Sequence, residues 1–117
     1  MTTQEVASRL VELCRQGQIA EAQHELYADH AVSLEPAGAP MAEVSGKEGI
    51  VEKAKHFQGM IEEFHGATIS DPVVGGNFFS ISWAMDVTMK ERGRNMMQEI
   101  CLYKVEEGKI VSEQFFY

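Results

Sequence analysis

No stretch of the chain approaches the ~20 consecutive apolar residues that a membrane-spanning helix requires. The first ten residues, MTTQEVASRL, hold neither a basic segment nor a long apolar run of the leader type. Positive charge is scarce as well: 10 Lys and Arg stand against 18 Asp and Glu, for a net charge of -8. Phosphate backbones and anionic lipid surfaces would be repelled, which excludes nucleic acid and membrane as partners and leaves a neutral or cationic small molecule. Cysteine is limited to Cys14 and Cys101, each in an apolar stretch, so two buried free thiols are expected in a reducing, cytoplasmic setting. The four histidines lack ligand spacing of the HExxH kind, and neither GxGxxG nor a P-loop occurs, so no metal and no cofactor are expected.

What is present is a chain of 117 residues, 44% hydrophobic, enough for one domain over residues 1–117. Thr2 with Glu5 forms a capping box, and Val6, Leu10 and Leu13 recur at helical spacing to about Arg15. Gly17 supplies a stop, and Ile19, Ala22 and Leu26 mark a second helix ending near Tyr27. A short strand, Ala31 to Glu35, is closed by Pro36. PAGAPMAEV reads as a loop, Ser45 with Glu48 as a second capping box, and Ile50, Ala54, Phe57 and Ile61 as one face of a third helix.

Beyond Phe64 the apolar period becomes two. A weak strand over residues 65–73 leads to Gly75, Gly76 and Asn77, which offer the positive φ of a tight turn. From Phe78 to Met89, Phe79, Ile81, Trp83, Met85, Val87 and Met89 share one face. That apolar face predicts a homodimer formed through the sheet. A turn near Glu91 to Arg94 precedes Met96 to Val105, and Glu107-Gly108 turns the chain into Lys109 to Tyr117. Helices followed by antiparallel strands predict an α+β domain with helices on one face of a curved sheet.

The last hairpin carries Glu99 and Glu113, whose relation depends on register. A three-residue bulged turn at Glu106 to Gly108 pairs Cys101 with Glu113 and puts the two acids on one face; a two-residue turn separates them. Asp86 lies across from Glu99 only if Arg92-Gly93 is a two-residue turn. Three carboxylates in one pocket would repel, so at least one would hold a proton near neutral pH or be held by a cation.

LYADHAVSLEP at 26–36, SGKEGI at 45–50 and YKVEEGKIVSEQFFY at 103–117, in that order and spacing, resemble the nuclear transport factor 2-like superfamily, above all its SnoaL-like and ketosteroid-isomerase-like members. The resemblance covers the whole chain and implies an NTF2-like cone: three N-terminal helices on a curved, mostly antiparallel sheet, around a deep apolar pocket, in a homodimer. The general base of the steroid isomerases is an aspartate just before a proline at the end of the first strand, and Glu35-Pro36 falls at that place. Their oxyanion-binding tyrosine and protonated aspartate correspond to about Leu10 and Cys101, neither of which is a strong donor. The resemblance also favours the register in which Glu99, Cys101 and Tyr103 share a face with Glu113, Phe115 and Tyr117.

These readings converge on carboxylate acid–base chemistry, as in an isomerase, lyase or hydratase, on a small apolar organic substrate. Glu35 is the expected base, Glu99 and Glu113 orient or protonate the substrate, and Asp86 is the remaining acid candidate. Tyr27, Phe57, Met97, Cys101, Tyr103, Phe115 and Tyr117 are the expected binding residues. The alternative is a noncatalytic ligand-binding or dimerisation module on the same fold.

Overall fold

Thr2 opens the first helix by the reciprocal bonding its sequence predicts: its hydroxyl accepts from the Glu5 N–H at 3.1 Å, and the Glu5 carboxylate accepts from the Thr2 N–H at 2.8 Å. In the computed structural model, which describes all 117 residues, helix α1 spans Thr3–Arg15 and α2 spans Ile19–Leu26. Strand β1 (Tyr27–Leu34) and the three-residue β2 (Glu43–Ser45) precede helix α3 (Lys47–Gly59). The rest is sheet: β3 (Ile61–Ile69), β4 (Val73–Gly75), β5 (Phe78–Met89), β6 (Gly93–Glu106) and β7 (Lys109–Phe116).

The seven strands form one mixed sheet in the order β2-β1-β7-β6-β5-β3, with β4 beside the start of β5. All pairings are antiparallel except β1 with β7. The three helices and the sheet share one core, in which Val6, Leu10, Leu26 and Ile50 of the helices join Phe79, Ile81 and Ile110 of the strands. The fold is therefore the α+β arrangement expected. No helix is long and apolar enough to cross a membrane.

Strand β5 matches its expected limits, and its odd-numbered face is the core face: Phe79, Ile81, Val87 and Met89 are buried. That face is turned toward the helices and is not free to form a sheet-to-sheet contact. Exposed apolar side chains on the sheet include those of the opposite face, where Ile100 and Phe116 sit directly across β6 and β7, with Met96 farther along.

Several boundaries differ from the sequence expectation. Gly46, at φ 93, occupies the cap of α3, and no side chain caps that helix, because Ser45 is held in β2 by its pairing with Val32. Residues 43–45 are thus a strand inside what reads as a loop, and β1 begins four residues earlier than Ala31. Ile61 opens β3 rather than ending the third helix. Of Gly75, Gly76 and Asn77, only Gly76 has positive φ.

The β6–β7 turn is two residues long, with Glu107 at φ 52 and Gly108 at φ 75 between the pair Glu106 and Lys109. A two-residue turn alone would put Glu113 on the outer face. A bulge corrects this: Val105 pairs with Ile110 and Lys104 with Ser112, so Val111 is the extra residue. Glu113 consequently lies opposite Tyr103, and Phe115, not Glu113, lies opposite Cys101.

Candidate functional site

Three cross-strand rows on the helix-facing side of the sheet build the site. Ser33 of β1 pairs with Glu113 of β7, Glu113 with Tyr103 of β6, and Tyr103 with Phe79 of β5. The next row runs Phe115, Cys101, Ile81, and the one after it contains Glu99 opposite Trp83 and Trp83 opposite Ile69. Period-two alternation thus stacks three functional levels on one face, deepest at Glu113 and most open near Glu99.

Glu113 is 3% exposed, yet both its carboxylate oxygens are satisfied. The Tyr27 hydroxyl donates to Oε1, and the buried Ser33 hydroxyl donates to Oε2 at 2.6 Å. Ser33 in turn accepts from the Lys53 Nζ at 2.6 Å. Burial pushes the Glu113 carboxyl above the ordinary carboxylate range, while the bonds from Ser33 and Tyr27 and the Lys53 charge oppose that rise. Tyr27 is buried against the same carboxylate, and its phenol is held well above its usual value, burial being the main cause.

Glu35 follows the last residue of β1, and its backbone N–H bonds the Ala42 carbonyl at 2.8 Å, which fixes its position before Pro36. Its side chain is 19% exposed, and Oε2 is buried with no hydrogen-bond partner, 3.9 Å from the Lys53 Nζ. Burial raises its pKa; Lys53 opposes the rise and Glu113 adds to it. Lys53 also stands over the Phe115 ring, 5.2 Å from its centroid.

Glu99 is partly buried beside Trp83, and burial pushes its pKa up to about 7, aided by the charges of Glu35 and Glu113. The Cys101 thiol donates to it at 3.5 Å, a bond that opposes the rise. The indole Nε1 of Trp83 is buried without a hydrogen-bond partner. Two polar atoms, Glu35 Oε2 and Trp83 Nε1, are therefore left unpaired on the same face.

The structure brings Tyr27, Glu35, Glu99, Cys101, Tyr103, Glu113 and Phe115 to that face, as the sequence suggested. Met97 lies one row beyond Glu99, opposite Met85, and Phe57 is half-buried on the same stripe of α3 as Ile50 and Lys53. Tyr117 is 66% exposed at the rim. Asp86 is a correction: the β5–β6 turn has three residues, Lys90 to Arg92, so Asp86 pairs with Met96 on the outer face. There it is bound by Arg94 at 2.9 and 3.1 Å, which holds its carboxyl below the usual range.

Around Glu113, the residues Tyr27, Ser33, Cys101 and Tyr103 are all buried. The accessible part is the end that holds Glu35, Glu99 and Tyr117. A separate open depression of about 290 Å³, lined by Ser82, Ala84, Gln98, Ile100 and Phe116 together with Trp83 and Glu99, reaches the sheet from its other side. No three His, Cys, Asp or Glu side chains come together in a way that could hold a metal ion.

Sequence reasoning missed Lys53 and Ser33. Lys53 falls three residues after Ile50 and four before Phe57, so it sits on the inward stripe of α3 that the apolar pattern identified. A charged residue on that stripe was the available signal.

The chain matches the SnoaL-like domain family over residues 1–117. Among solved structures, a Mesorhizobium loti protein described as a candidate SnoaL-like polyketide cyclase, with carbohydrate phosphatase given beside it, is 39% identical, with a TM-score of 0.94 and full coverage of both chains. A ketosteroid-isomerase-like protein from Catenulispora acidiphila, solved in complex with trimethylamine, is 20% identical at a TM-score of 0.75, covering 97% of this chain and 85% of that one. An NTF2-like protein of unknown function from Burkholderia pseudomallei is 13% identical at a TM-score of 0.78, over 100% of this chain and 92% of that one. No match was found among curated proteins. With a family match over its full length and a 39%-identical relative covering it end to end, the chain belongs to the SnoaL-like domain family.

Proposed function

We propose that the protein binds a small, largely apolar organic molecule at the open end of the helix-facing side of the sheet and transfers a proton on it, as an isomerase, lyase or hydratase does. The observation that carries this reading is the pair Glu35 and Glu99. Both are carboxylates at the accessible end of one face, and burial raises both above the ordinary carboxylate value, Glu99 to about 7. A carboxylate tuned in this way is a competent general base when ionised and a general acid when protonated. Glu35, with an unpaired oxygen, takes the role of base; Glu99, near half-protonation at neutral pH, returns or donates the proton. Of the two activities in the description of the Mesorhizobium protein, polyketide cyclase fits a carbon-acid substrate and carbohydrate phosphatase does not.

A second reading, a ligand-binding member without chemistry, is favoured by Leu10 and Cys101, which stand where the steroid isomerases carry their two oxyanion donors. We further propose a homodimer formed through the outer face of the sheet around Ile100 and Phe116.

Carbon-13 NMR titration of the glutamate carboxyls, assigned with Glu35→Gln and Glu99→Gln, tests the catalytic reading. Midpoints above the ordinary value of 4.5 for both groups, near 7 for Glu99, support it. Ordinary midpoints for both would leave only the binding reading standing.

A further inference from the structure

The side chain that the proposed proton transfer still lacks is one that accepts negative charge on the substrate. We propose that Lys53 is that group, and that Glu113, acting through Ser33, is a positioning residue and not an acid or base of the reaction. The inference rests on the acid–base reading above.

The hydrogen bonds around Glu113 run in one direction. Lys53 donates to Ser33, Ser33 donates to Glu113 Oε2, and Tyr27 donates to Glu113 Oε1. Both oxygens of the Glu113 carboxyl are thus taken up by hydroxyl partners, and neither is left for a ligand. Glu113 is also 3% exposed and lies behind Tyr27, Ser33 and Tyr103, so a ligand reaches it only by breaking those bonds. Its charge is instead balanced by Lys53, relayed through one hydroxyl.

Lys53 is differently placed. Its side chain is 15% exposed, at the border between the buried interior and the open end. An ammonium has three donors, and here one goes to Ser33 while Glu35, at 3.9 Å, is too far for a hydrogen bond. Base and cation therefore stand side by side without neutralising each other by direct bonding. The Lys53 ammonium stands over the Phe115 ring, 5.2 Å from its centroid, a contact that helps to hold the cation beside Glu35.

This geometry fits a carbonyl compound with an acidic neighbouring C–H. Glu35 removes that proton, the C–H electron pair forms the enolate C=C bond, and the carbonyl π pair moves to oxygen, where the Lys53 ammonium donates a hydrogen bond. The proton then returns to carbon from the Glu35 carboxylic acid or from Glu99, with no redox partner required. Lys53 thus restores by charge what Leu10 and Cys101 do not supply by hydrogen bonding.

The probe is 4-nitrophenol, whose phenolate mimics the enolate oxygen and is read by its absorbance. Wild type is expected to favour the bound phenolate, and Lys53→Met to lose about tenfold in phenolate affinity, the scale of one charge-assisted hydrogen bond. Lys53→Arg should retain part of the effect. Ser33→Ala and Glu113→Gln, which leave the lysine in place, should weaken it several-fold while a thermal melt confirms that each variant is folded. Ser33→Ala serves as the deciding variant should Lys53→Met fail to fold. No phenolate preference in wild type, or an unchanged one in Lys53→Met or Ser33→Ala, would overturn the inference. Ordinary titration of Glu35 and Glu99 defeats the acid–base reading itself, whereas raised midpoints with an unaffected phenolate preference defeat only the role of Lys53.

Discussion

Glu113 faces Tyr103 across β6 and β7 only because Val111 has no partner of its own. The tight turn at Glu107-Gly108 and the bulge at Val111 each shift the strand by one residue, and the two shifts cancel in facing. Buried in this way, Glu113 depends on its hydroxyl donors. Tyr27→Phe is expected to cost about 1–3 kcal/mol in a urea titration, since it leaves one oxygen of a buried carboxylate unpaired. A double-mutant cycle with Ser33→Ala should show coupling, because both hydroxyls serve one acceptor. Additive losses would mean that the two hydroxyls act independently.

Stability should also depend on pH through Glu99. Its pKa is raised to about 7 in the folded protein from an ordinary 4.5, so the folded state binds the proton more tightly than the unfolded chain. The contribution is fully present below about pH 4.5 and lost as pH rises through about 7, with a size on the order of 3 kcal/mol before other groups are counted. Glu99→Gln should flatten that part of the stability profile. An unchanged slope in the variant would show that Glu99 is not the group responsible.

The buried indole nitrogen of Trp83 has no partner, so Trp83→Phe removes an unsatisfied donor along with some packing. The two effects oppose each other, and the net change in unfolding free energy should stay within about 1–2 kcal/mol. Binding of 4-nitrophenol should weaken in the same variant if a ligand satisfies that N–H. Intact affinity would assign Trp83 to packing alone.

Both thiols are buried, and burial pushes Cys14 up to about 12 and Cys101 higher still. Since the thiolate is the reactive form, neither should react with a disulfide reagent at neutral pH until the protein unfolds. Rapid labelling of the native protein would contradict the observed packing.

Ile100 and Phe116 are 48% and 47% exposed on a sheet face that also carries the exposed side chains of Met96 and Phe78. Sedimentation of the wild type at micromolar concentration should give a dimer, and Ile100→Lys should shift it to monomer by placing a charge in the contact. A monomeric wild type would remove the proposed interface.

The sequence was most readable where a long element repeats its period. The twelve residues of β5 alternate without interruption, and the first helix carries both its cap and its stripe. The Val111 bulge has no composition of its own, so the late register admitted two readings and the chain uses part of each: the turn of one and the facing of the other. The β5–β6 turn set the fate of Asp86 in the same way: it starts two residues earlier than Arg92-Gly93 and is one residue longer, which moves the partner of Asp86 from Glu99 to Met96. Strand β2 is three residues long beside Pro and Gly, too short for any period to show. Lys53 was hidden for another reason: an apolar-stripe reading passes over a lysine, although a lysine on an inward stripe is the exception worth noting.

The parallel pairing of β1 with β7 joins residues far apart in the chain: the Tyr27–Glu113 bond closes 86 residues and the Ser33–Glu113 bond closes 80. Such contacts carry a large loop-closure cost, which the intervening hairpins reduce by bringing β7 alongside. The charged centre of the site is therefore expected to be assembled late in folding. Until then Glu113 keeps its water shell, and its transfer into the interior is coupled to the arrival of the hydroxyls and of Lys53 that compensate it.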